Sequence, residues 1–333
     1  MVHYGFLIPH RPVMQPLAAG PVRALEVQAA RFSRVWPEMQ PRVQALHFGL
    51  SGTVWHLGNE ELLGTGVSLA PFLSVPLVTG KAFQLVWQGK AGVGLVSKPF
   101  HRTINHRNVA IGSLLNGFMA VSLQSHYRIH RHGYFTLGLG FNHFSNGAWR
   151  MPNLGINLPT VNTGLELTFG EHVPAAGPAS KAWVPTKHSW QFWAATGLKE
   201  INPPGSPKYN TFTLGIDHVF GLGKHWNWAL SANGYYDASI AARVTDDFEA
   251  QGSFGDNASL AMLGSIVFRV NELSIWGSAG VYAASRHLLE GRLVNRLAVR
   301  YFFSKHFAGN ISVKTHKAKA DFLEAGLVFR LKK

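Results

Sequence analysis

The residues best suited to chemistry in this sequence lie in the stretch FNHFSNGAWRMPNLGIN, residues 141–157. His143 and Ser145 are separated by a single residue there and are followed by asparagines and glycines. A serine beside a histidine is the minimal nucleophile and base for acyl transfer, with a third polar group holding the imidazole. The stretch is therefore a candidate reactive centre, and the alternative is a polar strand end that meets headgroups and water.

The elements that must position these residues are predicted to be β-strands. The apolar residues at odd positions 135–141 are continued by His143 and Ser145. Residues two apart in a strand share a face, so both side chains are predicted on the apolar, lipid-facing side. Asn157, counted across Pro159, has the same parity, and a hairpin would bring it to the histidine. Glu166 has the opposite, inward parity and is not the predicted partner.

Period-two alternation recurs from about residue 42 to the C-terminus, with no helical block between the segments. Tight turns, as at 131–133 and 271–272, largely alternate with long polar loops such as 241–257. The pattern predicts an all-β fold, a transmembrane antiparallel β-barrel of about 14 strands, within a range of about 12–16. Short periplasmic turns and longer extracellular loops are expected, with the stretch around 171–187 as a long periplasmic exception.

The predicted domain organisation has one boundary, between residues 1–41 and a barrel over 42–333. The first segment contains the proline-broken PHRPVMQPL and is expected to be a plug, a periplasmic segment or extra strands. The opening MVHYGFLIPH lacks the basic and apolar regions of a signal peptide. If the protein is exported, we therefore expect this sequence to be the mature chain.

The amino-acid composition excludes several classes of function. The absence of cysteine excludes disulfides, thiol catalysis and Cys-based metal sites. A net charge of +14 would suit nucleic acid, but the basic residues are scattered singly, so no nucleic-acid partner is predicted. No apolar run is long enough for a transmembrane helix.

Other polar clusters have weaker functional interpretations. His126, His130 and His132 could hold a metal, but a solvated turn is favoured, and neither a metal nor another cofactor is predicted. The acidic residues of loop 241–257 are interpreted as solvated. Tryptophans and tyrosines near strand ends favour an interfacial girdle over a sugar-binding platform.

The motif His143-Phe-Ser145-Asn146, followed by Pro152-Asn153-Leu-Gly155-Ile-Asn157, resembles that of the PagL family of lipid A 3-O-deacylases and related acyloxyacyl hydrolase-like outer-membrane proteins. Weaker similarity, in PHRPVM and LGNEELLGTGVSLAPFLSVPL, extends the resemblance over about residues 4–170. The C-terminal half is recognised only as a barrel.

The resemblance implies an integral protein of the bacterial outer membrane, a serine esterase that removes an ester-linked acyl chain from lipid A. Ser145 would be the nucleophile, His143 the base and Asn157 the third member of the triad. The residues that would stabilise the oxyanion or position the substrate are Asn146, Gly147, Asn153 and Gly155. The expected partners are lipid A, lipopolysaccharide or another acylated glycolipid, and outer-membrane lipids, bound by a monomer. Arg150, beside the motif, is expected to pair with a substrate phosphate.

The sequence departs from the family in two respects. The family has an acidic residue at the position of Asn157; an amide can accept the imidazole N–H but cannot stabilise imidazolium with a negative charge. PagL itself is a barrel of eight strands, whereas this chain predicts more. The extra strands keep open a porin or transporter, or a surface-binding barrel, with a vestigial hydrolase motif.

Overall fold

The computed structural model describes residues 1–33, 46–169, 188–222, 225–317 and 319–332. The described strands form two closed antiparallel barrels of eight strands each. The predicted all-β barrel class is confirmed, but the single barrel of about 14 strands is wrong. Local alternation identifies strands, whereas barrel closure depends on which distant strands pair, and no local pattern contains that information.

The first barrel runs from residue 2 to residue 167 and is closed by its short first strand, which pairs with both the second and the eighth. Its strands are β1 Val2–Gly5, β2 Val22–Ser33, β3 Leu46–His56, β4 Thr65–Thr79, β5 Phe83–Val96, β6 Leu115–His130, β7 Gly133–Ser145 and β8 Ile156–Leu167. A 3-10 helix, Pro12–Leu17, lies between β1 and β2.

The second barrel repeats this topology, with its first strand paired to its second and its eighth. Its strands are β9 His188–Lys199, β10 Tyr209–Gly221, β11 Trp226–Asp237, β12 Ala258–Val270, β13 Leu273–Ser285, β14 Leu293–Phe302, β15 Phe307–His316 and β16 Lys319–Lys332. The loop between β11 and β12 contains two short helices, α1 Ser239–Thr245 and α2 Phe254–Asn257. Among the described residues, no helix has both the length and the apolar character needed to cross a membrane.

The two barrels are separate compact units, and residues 147–151 group with the second. The predicted boundary at residue 41 therefore does not separate a terminal segment from one barrel. Residues 2–5 and 22–33 are additional strands of the first barrel, one of the three expected alternatives. The remainder of the segment, 34–41, and the expected long connection at 171–187 lie outside the described residues.

In both barrels the period-two pattern directs apolar side chains outward, as expected of a surface that meets lipid. Leu139 on β7 is 67% exposed and Leu214 on β10 is 68% exposed. Inward side chains of the same strands are buried, because an eight-stranded barrel is only wide enough for side chains to fill it.

The first barrel is closed at its loop end by an apolar core. Trp55, Phe118 and Phe144 pack with ring centroids 4.9 to 6.0 Å apart. Leu7 and Met14 of the N-terminal segment belong to the same buried cluster. The N-terminal segment is thereby held beside the start of β8, where the candidate site lies.

Candidate active site

The hairpin of β7 and β8 brings the predicted histidine and asparagine face to face. In its register His143 lies opposite Asn157, and Phe144 lies opposite Ile156. Directly opposed residues of an antiparallel pair share a face, so the parity prediction for Asn157 is confirmed in spite of Pro159. Phe144, between His143 and Ser145, points inward and is fully buried, which anchors the strand beneath the two outward side chains.

His143 and Asn157 form a short hydrogen bond. The distance from His143 Nδ1 to Asn157 Oδ1 is 2.6 Å. Because an amide oxygen only accepts, Nδ1 must donate, and Nε2 therefore retains the lone pair. This is the tautomer that a general base needs.

A second histidine, His10, completes this chain of hydrogen bonds. Its Nδ1 lies 3.2 Å from Asn157 Nδ2, so the amide donates to it. The N-terminal segment is held there because the Ile8 N–H donates to the Asn157 carbonyl at 3.0 Å. His10 is absent from the predicted site. The only signal for it in the sequence is its place in PHRPVM, the stretch with weak similarity to the family.

Ser145 contacts the side-chain amide of Asn153. Its Oγ lies 3.0 Å from Asn153 Nδ2 and 3.2 Å from Oδ1. Nδ2 donates to the serine oxygen, whereas Oδ1 is an acceptor that also takes the Asn146 N–H at 2.9 Å. Asn153 thus presents a donor beside the nucleophilic atom, where charge develops on an attacked carbonyl.

Gly155 lies directly against the His143 ring. A Cβ atom built on Gly155 would stand 2.8 Å from His143 Cε1, and its φ of +82° is disfavoured for other residues. Its N–H donates to the Ala110 carbonyl at 2.9 Å. The expected oxyanion role for this N–H does not fit, since the donor is already bonded; Gly155 makes room for the imidazole.

The remaining predicted residues occupy different surroundings. The Asn146 side chain is buried and donates to Ser113 Oγ at 2.9 Å, so it braces the loop. Gly147 and Arg150 belong to residues 147–151, which group with the second unit, and Arg150 is exposed.

The structure shows the surroundings of the other clusters considered in the sequence. No group of three or more potential metal ligands occurs within the described ranges. His126 pairs with Glu166 at 2.9 Å on the inner face. In loop 241–257, Ser253 is the N-cap of α2 and donates to the Asp256 carboxylate, which also pairs with Arg286 at 2.9 Å. Hydrogen bonds from Ser253 and Arg286 lower the pKa of Asp256 to about 2.

Comparison with protein families gives two matches that together span most of the chain. The model for lipid A 3-O-deacylase (PagL) matches residues 28–166, and the model for the C-terminal domain of acyloxyacyl hydrolase matches residues 188–333. No curated protein matches the sequence.

Several solved porins are similar to this chain in structure. The KdgM porin in complex with disordered oligogalacturonate is 7% identical, with a TM-score of 0.21, over 78% of this chain and 91% of the porin. A NanC porin is 6% identical, with a TM-score of 0.18, over 99% and 97%. A Rhodopseudomonas blastica porin triple mutant is 8% identical, with a TM-score of 0.20, over 99% and 98%. Likenesses at these TM-scores support no further conclusion.

Proposed function

The chain belongs to the PagL lipid A 3-O-deacylase and acyloxyacyl hydrolase-like family, and on that premise we propose that it is an integral outer-membrane esterase. Its substrate would be lipid A, from which it would remove one ester-linked acyl chain. The observation that carries the proposal is the oriented Asn157–His143 pair beside Ser145, on an outward face that is otherwise apolar.

The proposed reaction uses Ser145 as nucleophile. As Oγ attacks the ester carbonyl, His143 Nε2 takes the hydroxyl proton, and the carbonyl oxygen becomes an oxyanion. Asn153 Nδ2 donates to that oxyanion. When the tetrahedral intermediate collapses, His143 returns the proton to the leaving sugar oxygen. A water molecule, deprotonated by His143, then hydrolyses the acyl-serine and releases the fatty acid.

Asn157 takes the place of the family's acidic triad residue by orienting the His143 imidazole and not by supplying a negative charge. An amide can turn either end toward the imidazole, and only the oxygen selects the tautomer that leaves Nε2 free. His10 accepts from Asn157 Nδ2 and so favours the productive orientation. The family's carboxylate needs no such selection, because both of its oxygens accept.

The location of the site fits an acyl substrate in a membrane. Phe141, two residues before His143 on the same face, is 40% exposed, and Leu139 continues that outward apolar surface. A fatty acyl chain in the outer leaflet could lie along these side chains while its ester reaches Ser145. Arg150 keeps its proposed role of pairing with a substrate phosphate, which rests on its charge alone. The Gly147 N–H keeps its proposed role of donating to the oxyanion.

The alternative of a porin or transporter depended on one wide barrel. Each closed barrel has eight strands, and buried inward side chains fill both. Neither barrel therefore has, among its described residues, the wide lumen on which the transport alternative rested. No described feature favours transport over hydrolysis.

The test is mass spectrometry of lipid A incubated with the purified protein. Wild type is expected to remove one acyl chain, and Ser145→Ala is expected to remove none. Ser125→Ala is the matched control, because Ser125 lies on the neighbouring strand β6 of the same barrel. An unchanged lipid A mass with wild type, where an active family member removes a chain, would refute the proposal. Equal activity of Ser145→Ala would refute the assigned nucleophile.

A further inference from the structure

The second barrel contains a cleft at the end where its tight turns lie, which we call the turn-end cleft. It contains about 440 Å³ of empty space, a volume that includes open solvent. Its apolar lining is Val219, Val267, Trp276 and Phe302. Its polar lining is Ser189, Gln191, Asn227, Arg269, Ser274 and Arg330. Among the described residues, no carboxylate lines it.

Arg330 is nearly buried at this cleft, and none of its contacts with described residues is to a carboxylate. It is 6% exposed, and its Nε and Nη2 donate only to the Lys305 carbonyl, at 3.2 and 2.8 Å. Its guanidinium lies 3.8 Å from the centroid of the Phe302 ring. Among the described residues it forms no ion pair. An unpaired buried charge is costly unless another group neutralises it.

Two other inward arginines of this barrel, which lie outside the cleft, are paired with carboxylates. Arg300 lies 2.6 Å from Asp217, and Arg296 lies 3.0 Å from Glu324. The lack of a partner for Arg330 is therefore a local feature of the turn-end cleft and not a general property of the barrel interior.

The rest of the lining supplies further unused donors. Arg269 uses its Nε on the Asn271 carbonyl at 2.9 Å, and no other hydrogen bond to a described residue involves its guanidinium. Asn227 is 8% exposed, and its side chain makes no hydrogen bond within the described part of the chain. Two guanidiniums and a buried amide thus border one space whose lining includes no described carboxylate.

We propose that the turn-end cleft binds a small oxyanion of the phosphate class between Arg269 and Arg330. Guanidinium groups match the oxygens of phosphate with paired, charge-assisted hydrogen bonds. Asn227 would donate to a remaining oxygen, and the anion would neutralise the charge of Arg330. This site is independent of the esterase proposed for the first barrel.

The ligand could be a free phosphate compound or the phosphate of a lipid headgroup. Aromatic side chains surround this end of the barrel on the outside, where Trp190 stacks on His218 with centroids 4.2 Å apart, and Phe220 stacks on Trp228 at 4.1 Å. Such residues are typical of the membrane interface. Because the cleft is partly open to solvent at this end of the barrel, either a free phosphate compound or a lipid phosphate could reach it.

The experiment is isothermal titration of the full chain in dodecyl maltoside with inorganic phosphate. Wild type is expected to bind, and Arg269→Gln is expected to bind at least about tenfold more weakly. Arg286→Gln is the matched control, since Arg286 is an exposed arginine at the opposite end of the same barrel. Circular dichroism confirms that each variant is folded.

A second arm identifies the source of the ligand. The titration is repeated in nanodiscs of phosphatidylglycerol and in nanodiscs of a phosphate-free galactolipid. If phosphatidylglycerol weakens phosphate binding by wild type, the cleft takes lipid phosphate; if both nanodiscs give the same affinity, it takes the free ion. Either result supports the site. No binding by wild type, or equal affinity in Arg269→Gln, would overturn it.

Discussion

The two barrels have the same topology but fill their interiors with different chemistry. The first has an aromatic cluster around Trp55 and a buried network around Glu26, which bonds to Lys90 and lies 2.7 Å from His3. The second stacks guanidinium groups on aromatic rings: Arg296 lies 3.8 Å from the centroid of the Trp193 ring, and Arg300 lies 4.0 Å from that of Trp276.

This difference separates two tasks that one fold can perform. In the first barrel, the inward Phe144 packs in an apolar core and holds the outward groups of the proposed esterase site. In the second, polar and charged groups are concentrated inside, where an ion can reach them only through a barrel end. The strands of a closed barrel can therefore direct polar side chains outward to the membrane or inward to water. The parity of a residue's position in its strand decides which side its side chain faces.

The largest expected effect is on catalysis, and it tests whether reactivity belongs to the first barrel alone. His143→Gln should reduce lipid A deacylation by about 10³-fold or more, because the general base is lost. His316→Gln, on the inner face of the second barrel, should leave the rate unchanged. Rates of acyl release measured by mass spectrometry compare the two variants. A similar loss in both would contradict the division of tasks.

The second test compares the two interiors by stability. Glu26→Gln leaves the buried Lys90 without its anion and should lower the free energy of unfolding by about 3–5 kcal/mol. Glu324→Gln should cost less, about 1–3 kcal/mol, because Arg296 retains both the Trp193 ring and a 2.7 Å bond to Ser312. Urea unfolding in detergent measures both. Equal losses would show that ring stacking does not protect the second interior.

The third test concerns how Asn157 and His10 orient His143 in the outward site. Asn157→Asp should raise the deacylation rate about tenfold, since a carboxylate stabilises the imidazolium. His10→Ala should lower the wild-type rate by a similar factor, because the Asn157 amide loses the partner that orients it. In the Asn157→Asp background, His10→Ala should have little effect. A double-mutant cycle of initial rates checks this, and additive losses would assign His10 a purely structural role.

The smallest effect is expected in the loop that contains α1 and α2. The folded pKa of Asp256, about 2, lies below its ordinary value of 3.8, so the ionised carboxylate stabilises the loop. This contribution should be complete above about pH 5 and lost as the pH falls toward 2. The unfolding midpoint of Asp256→Asn, followed over that range, should lack this component. An identical pH dependence in both proteins would contradict the assignment.

The outward site could largely be predicted from the sequence because strand parity is a local property. His143, Ser145 and Asn157 were placed on one face by counting residues, and the register of β7 with β8 agrees. His10 could not be found in this way. It reaches Asn157 from 147 residues away, through a segment whose position depends on the apolar core.

The fold was harder to predict from the sequence for similar reasons. β1 has four residues, too few for a periodic signal, and β2 is rich in alanine with Glu26 facing inward. The expected exception around 171–187 precedes the first strand of the second barrel, so the break in the alternation of short and long connections marked a change of barrel. The pattern contained that signal, but a single barrel with one long turn explained it equally well.

The way in which each barrel closes also has a consequence for assembly. Val2 pairs with Thr163, and Ser189 pairs with Lys332, so each ring is completed by its own first and last strands. Closure of the first ring uses no described strand beyond β8, and closure of the second uses none before β9. Either can therefore finish folding before the other begins, and an error in one need not propagate to its neighbour.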